Sequence, residues 1–543
     1  MAHTMYFSSH PITFSSLLLI SKVPTSHQSS LAQKQLLEKK LKPSAKYELR
    51  SLYSGLFVQA PTSLVLLLCH LSFSLSLSQR EIRHINISMN TKEVEVTLIK
   101  KEVVAVQLAK NEDHWLPLSN LDLCILHPLD FSIFLCFKKP TCKDNWTSMA
   151  MVEVLKKALK EALVPYYFLA GEKVPDSMAE HKLHCNNRGV DFTEAFANIE
   201  LQKLNLNEPD ETIGCKLVPK KKNGVMAVQA TGFKCGGLVL ACTFDHQIVD
   251  AYSAGMFLVS WAEIARSKPF SSLPTFNCAM LNPRHPISFD PSLHNLYVPI
   301  TMFNPSNDPE PSANHFENRI CLVKANIINQ LQSQASTKES KRTKLESFSA
   351  LLWKISAKSA RNKRVSKLGI VVDGRTMLSF GDKEKRSLMS SYFGNVLSIP
   401  YDSKKIDELI EKPLSWVANE VHGFLEGAKT KEHFLDLIDW VEAHRPVQSL
   451  AKVYSSGNKE GPALVVSSGQ HFPISKVDFG WGKSAFGSFY FPWGGNVGYV
   501  MPIPSPSGNG DWVVYMHMLK RELELIECEA AHVFKPCTSD RLK

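Results

Sequence analysis

The chain's 543 residues, 44% hydrophobic and 21% charged, are enough for a large buried core and exclude a disordered or fibrous protein. Of its net charge of +10, residues 1–88 carry +6 (nine Lys/Arg against three Glu), and the +4 left for the remainder is too little, over so long a stretch, to argue for nucleic acid. Twelve cysteines without a C-x-x-C pair argue against a zinc site or redox dithiol and fit a reducing, cytoplasmic environment.

Residues 1–88 are rich in Ser and Leu, and their first acidic residue is Glu38. They are too poor in Arg for a transit peptide. The run Leu64–Leu77 is broken by His70 and is shorter than the roughly 20 residues a membrane span needs. The expectation is a disordered or spurious N-terminal extension at 1–88, with Met89 as the start of the folded protein.

Beyond it, Val94–Leu98 and Glu102–Leu108 alternate like half-buried strands. Residues 149–163 place Val152, Leu155, Ala158, Leu159 and Ala162 on one helical face, and Pro165 ends that helix. Two strand-like runs follow, Gly224–Val228 and Gly237–Phe244, and then a helix over Ala251–Arg266. Residues 269–311 hold nine Pro and little periodicity, which predicts a long crossover over the surface. Helices are then expected at Ser347–Ser359 and Trp416–Phe424, with buried strands at Leu368–Val372, Val396–Ile399, Ala463–Ser467 and Trp512–Met516. The reading is α/β, with an N-terminal domain at 89–268, a crossover at 269–315 and a C-terminal domain at 316–543.

The most informative stretch is Gly236–Asp250. An apolar strand ends abruptly in Asp245-His246, and four residues later Asp250 opens an amphipathic helix. A histidine at the end of a buried strand is rigid yet can reach a cleft, as a general base requires, and imidazole titrates near neutrality. Asp250 at a helix N-terminus can cap backbone N–H groups, a structural role. H-x-x-x-D alone also describes a structural histidine. Here, however, His246 is the one histidine among 19 with an Asp four residues on. Asp478-Phe479-Gly480-Trp481-Gly482 offers one carboxylate and no nucleophile, and reads as a tight turn around an aromatic anchor.

Together these two stretches resemble the plant BAHD acyltransferases, marked by H-x-x-x-D mid-chain and D-F-G-W-G towards the C-terminus. The resemblance extends through Leu118–Asp122, Leu163–Gly171, Val372–Arg375 and Tyr392–Asn395, and covers about residues 92–543. Within the family the chain is most similar to acetyl-CoA:coniferyl alcohol acyltransferases, through Trp115–Pro117, Cys185–Phe192 and Phe491–Gly495. A shikimate O-hydroxycinnamoyltransferase-like protein is the other reading.

The resemblance implies two chloramphenicol-acetyltransferase-like domains, each a mixed sheet with helices, joined by the long crossover loop. It implies acyl-CoA as co-substrate, acetyl-CoA preferred, a small-molecule alcohol as acceptor, no bound cofactor, no metal, no membrane and a monomer. His246 would be the base, and Asp250 would pair with Arg375. Asp478–Gly482 would be structural, and Thr343 and Lys344 would contact CoA. Ser467 and Gly469 occupy the oxyanion and acceptor side, where shikimate-type relatives have Thr-Ser-Trp. Gly469 in place of that Trp is expected to open room beside the acyl carbonyl. From Pro446 to Lys520 there is no Arg to hold an anionic acceptor, with Lys452 and Lys459 as looser substitutes. A neutral aromatic alcohol is therefore expected. The competing classes are a non-catalytic interaction protein and a CoA-thioester hydrolase.

Overall fold

The computed structural model describes residues 94–542 apart from 107–112, 141–145, 176–179, 303–314, 361 and 456–460. The extension at 1–88, Met89 and Lys459 lie outside the described residues.

Two mixed sheets carry the fold. The first runs in the order Val96–Val104, Val190–Ala197, Met226–Phe233, Leu238–Asp245, Asp130–Phe137, Phe486–Tyr490. Only its 190–197/226–233 pair is parallel. Its central strands are buried along their whole length on both faces, which is why they read as continuous apolar runs rather than alternation. The two strands expected at 94–108 are one, Val96–Val104, with an irregularity between Leu98 and Lys100. It is an edge strand, and Leu98, Ile99 and Val103 are exposed.

The second sheet runs Tyr401–Lys405, Val365–Ile370, Ala463–Val466, Gly498–Pro504, Trp512–Leu519, Phe316–Val323, Lys535–Pro536. Its 365–370/463–466 and 463–466/498–504 pairs are parallel. The helix Lys344–Ser359 packs against Leu414–Ala428, Ala325–Ala335 and Lys520–Glu529. In the first half, Ser148–Ala162 buries the face expected for it and packs on Ala251–Ala265, where Trp261 Nε1 donates to the Leu155 carbonyl at 3.0 Å.

The two halves of the sequence do not divide the sheets cleanly at 316. Phe486–Tyr490 crosses back and pairs antiparallel with Asp130–Phe137, completing the first sheet from the second half of the chain. Local periodicity cannot reveal this, because the partner lies some 350 residues away. The described part of the crossover is held by ions and backbone. Arg284 N and Nε each donate to the buried Asp439 at 2.8 Å, and Tyr297–Pro299 pairs with Ser449–Ala451. All ten described cysteines are free. Among the described residues no helix is long and apolar enough to cross a membrane, and no group of His, Cys, Asp and Glu could hold a metal ion.

Candidate active site

His246 follows the last residue of the strand Leu238–Asp245, and its N–H donates to the Leu129 carbonyl at 2.8 Å. The strand end is locked by Asp245, whose Oδ1 accepts from Gln247 N at 3.0 Å and whose carboxylate pairs with Lys173 at 2.9 Å. The imidazole is half-buried between Phe131 (ring centroids 4.9 Å) and Phe491 (5.9 Å). Its Nδ1 is buried without a well-formed hydrogen bond. Burial holds the ring below its usual pKa, against the pull of its own backbone and of Asp250 and Asp245. A neutral imidazole at neutral pH is the form that can accept a proton.

Asp250 engages its carboxylate with groups other than that ring. It is the N-cap of Ala251–Ala265, accepting from Ser253 N at 2.8 Å through Oδ1, while Oδ2 accepts from Arg375 Nη1 at 2.8 Å. Arg375 also reaches Asp373 at 3.2 Å and donates from Nη2 to the Gly394 carbonyl at 2.7 Å. The Tyr252 ring lies 4.3 Å from the guanidinium carbon. Burial disfavours the charge on Arg375, but Asp250 and Asp373 more than offset this and hold it protonated. The aspartate and arginine named from sequence are thus brought together, 125 residues apart in the chain.

Two residues quoted in sequence without a role complete the arrangement. Asn395 Nδ2 donates to the carbonyls of His246 (3.0 Å) and Gln247 (3.1 Å), and both its N–H and Nδ2 donate to the buried Asp122. The segments Leu118–Asp122, His246–Asp250, Val372–Arg375 and Tyr392–Asn395 therefore form one hydrogen-bonded unit. The signal was present as matched segments, but neither spacing nor periodicity says which polar atoms meet.

His246 and Asp250 line a cavity of about 470 Å³. Cys124, Ile125, Leu129, Leu397, Ile399, Leu450, Phe491, Trp493 and Met501 supply apolar wall, and Ser467, Tyr454 and Tyr499 supply hydroxyls. Among the described residues lining it there is no Arg, and the one Lys is Lys476. Lys452 does not line it. An indole does: Trp493, held by Nε1–H to the Val497 carbonyl at 2.9 Å, enters from a different part of the chain than the triplet.

Gly469 lines the cavity, but a side chain at this position has little room. A Cβ there would lie 2.7 Å from the Pro502 carbonyl oxygen and 2.8 Å from Ile503 Cγ2, so the space beyond it is already filled by the strand Gly498–Pro504. Gly469→Val should therefore destabilise the protein by roughly 1–3 kcal/mol through overpacking, read as a lowered urea midpoint. An unchanged midpoint would show that the turn yields.

The remaining sequence candidates lie outside the cavity. Asp478 Oδ1 accepts from Gly480 N (2.9 Å) and Gly482 N (3.1 Å), and both glycines have positive φ (107° and 109°). Phe479 stacks on Trp481 and meets Trp261, so this segment is an aromatic-anchored turn. Thr343 is the N-cap of Lys344–Ser359 in a capping box with Glu346, and both Thr343 and Lys344 are exposed.

Comparison with known proteins gives the family and the fold. The family model described as "Transferase family" matches residues 94–533. The chain is 28% identical to omega-hydroxypalmitate O-feruloyl transferase of Arabidopsis thaliana, over 76% of this chain and 87% of that one. It is 26% identical to shikimate O-hydroxycinnamoyltransferase of Nicotiana tabacum (79% and 98%) and 28% identical to fatty alcohol:caffeoyl-CoA acyltransferase of Arabidopsis thaliana (72% and 88%). In fold it matches vinorine synthase (TM-score 0.58, 20% identity, 82% of this chain and 100% of that one) and F. graminearum TRI101 complexed with coenzyme A and T-2 mycotoxin (0.62, 13%, 77% and 97%). A matched family model over most of the chain, a shared two-sheet fold and a histidine presented to a cavity lead to one conclusion: this protein belongs to the transferase family of BAHD acyltransferases, and is an enzyme that transfers acyl groups other than aminoacyl groups.

Proposed function

We propose that the enzyme moves an acyl group from acyl-CoA to the hydroxyl of a neutral phenylpropanoid alcohol such as coniferyl alcohol, acting as a monomer with acetyl-CoA as donor. The observation that carries the acceptor class is the cavity wall: largely apolar and aromatic, with the carboxylates of Asp250 and Asp373, Lys476 as its one Lys and no Arg among the described lining residues. An anionic acceptor would lose hydration there without the bidentate partner that repays it. A planar ring suits walls built from Phe491, Trp493 and Tyr499. One relative whose printed name specifies a neutral, apolar-chain acceptor, a fatty alcohol, supports the same direction.

In this reading His246 Nε2 takes the proton of the acceptor hydroxyl as its oxygen attacks the thioester carbonyl. It returns that proton as the thiolate leaves. A base so placed contributes ~10²–10⁴-fold in rate. The developing oxyanion needs a donor, and Ser467, buried and on the cavity wall, is the hydroxyl we assign to it. Lys476 and the exposed Thr343–Lys344 turn are the candidate contacts for the CoA phosphates.

A second reading, hydroxycinnamoyl-CoA as donor, is favoured by the feruloyl, hydroxycinnamoyl and caffeoyl groups in the relatives' names. Both are tested by a competition assay with equal coniferyl alcohol and shikimate, run once with each donor. We expect the coniferyl ester to predominate. Predominant shikimate ester would overturn the acceptor assignment, and product only with hydroxycinnamoyl-CoA would overturn the acetyl donor.

A further inference from the structure

Asp122 is a fully buried carboxylate whose hydrogen-bond partners are all neutral. Its Oδ2 accepts from Ser119 N (2.9 Å) and Ser119 Oγ (2.7 Å), and its Oδ1 from Asn395 N (2.7 Å) and Asn395 Nδ2 (3.0 Å). Four donors on two oxygens match an ionised carboxylate, which is acceptor-only. A proton on Oδ1 would set a donor against the two Asn395 N–H groups. Beyond Asp122, the same Asn395 amide donates to the carbonyls of His246 and Gln247, the two consecutive peptide groups that follow the imidazole-bearing Cα.

We propose that Asp122 and Asn395 are positioning residues for acyl transfer: the ionised Asp122 carboxylate orients the Asn395 amide, which fixes the backbone bearing His246. The inference rests on His246 being the base. It goes beyond the Asp250–Arg375 pair, because this link holds the histidine's own peptide rather than the helix after it.

Acid should undo it. Burial pushes Asp122 up to about 6, with the hydrogen bonds from Asn395 and Ser119 opposing. The other titratable groups around it keep their charge in that range. Cys124 on the same turn and Cys278 on the crossover are pushed up to about 12 by burial, and Tyr392 lies well above its usual value. Arg445 stays protonated beside Glu180 and Glu442 and reaches only as far as Asn120. His246 is left as the second group to titrate, below its ordinary value. As pH falls, one proton frees Asn395 and another removes the base, so activity is present above this window and lost through it.

The test is kcat and KM of the full-length enzyme from pH 4.5 to 8, alone and as Asp122→Asn and Asn395→Ala. Wild-type log kcat should fall below about pH 6 with a slope exceeding one and recover fully on return to pH 7.5. Both variants should lose ~10- to 100-fold in kcat at pH 7.5 with KM for either substrate within about two-fold, as expected for a misplaced base. Asp122→Asn should also fall with a slope of one. Raised KM with kcat intact would overturn the proposal, as would an acid limb unchanged by Asp122→Asn. Should neither variant fold, the wild-type slope decides, and a slope of one overturns it. Failure of the underlying reading is distinct: His246→Ala would retain turnover.

Discussion

His246→Ala is expected to give a folded protein whose transfer rate is down by ~10²-fold or more at neutral pH. The fold should survive because the strand end is held by groups the substitution leaves in place. These are the His246 N–H to the Leu129 carbonyl, the Asp245–Lys173 pair, and Asn395 on the His246 carbonyl. What is lost is the ring between Phe131 and Phe491, and with it the proton acceptor. One other histidine, His471, lines the same cavity, on the short turn Gly469–His471. His471→Ala is therefore the control, and it should retain turnover within a few-fold. Near wild-type turnover in His246→Ala with collapse in His471→Ala would reassign the base.

The second large effect is expected at the Asp250–Arg375 pair, through geometry rather than proton transfer. Arg375→Ala leaves the buried Asp250 and the part-exposed Asp373 beside it with no cation, and strips a donor from the Gly394 carbonyl. Burial already pushes Asp373 up, with Arg375 opposing and Asp250 adding to the rise. Breaking such a pair from one side costs about 3–5 kcal/mol, so Arg375→Ala should lower both soluble yield and rate. Asp250→Asn should cost less stability, since an amide oxygen still accepts from Ser253 N and caps the helix. The double variant should fall short of the sum by ~0.5–3 kcal/mol in denaturant unfolding. Strict additivity would show that the two do not act as one pair.

Much of this site was legible in the sequence because its chemistry is local. The strand that ends in Asp245-His246 is an apolar run, Asp250 four residues on is a helix cap, and Asp478 with two glycines is a turn. Each is decided by residues within one or two turns of each other, where period and capping rules apply. The rest is long-range. That Asn395 would hold the His246 carbonyl, 149 residues away, follows from how two halves of the chain pack, not from either segment. The same holds for Phe486–Tyr490, short and unremarkable alone, which becomes an edge strand of the first sheet only because Asp130–Phe137 offers one. Gly469 shows a different limit of local reading. It borders the cavity as expected of a lost side chain, but a glycine also lets a neighbouring strand approach, and Pro502 and Ile503 occupy the place a Cβ would take. The indole that the triplet lacks is supplied to the cavity by Trp493.

The central claim is that this enzyme carries an acyl group from CoA to a hydroxyl. Its most direct test follows free CoA thiol and ester product together, with acetyl-CoA and with hydroxycinnamoyl-CoA, in the presence and absence of coniferyl alcohol. The account predicts CoA release that depends on the alcohol, with one ester formed per CoA. Equal CoA release without any acceptor would mark a thioester hydrolase, and no release with either donor across a panel of neutral alcohols would mark a non-catalytic binding protein; either result would contradict it.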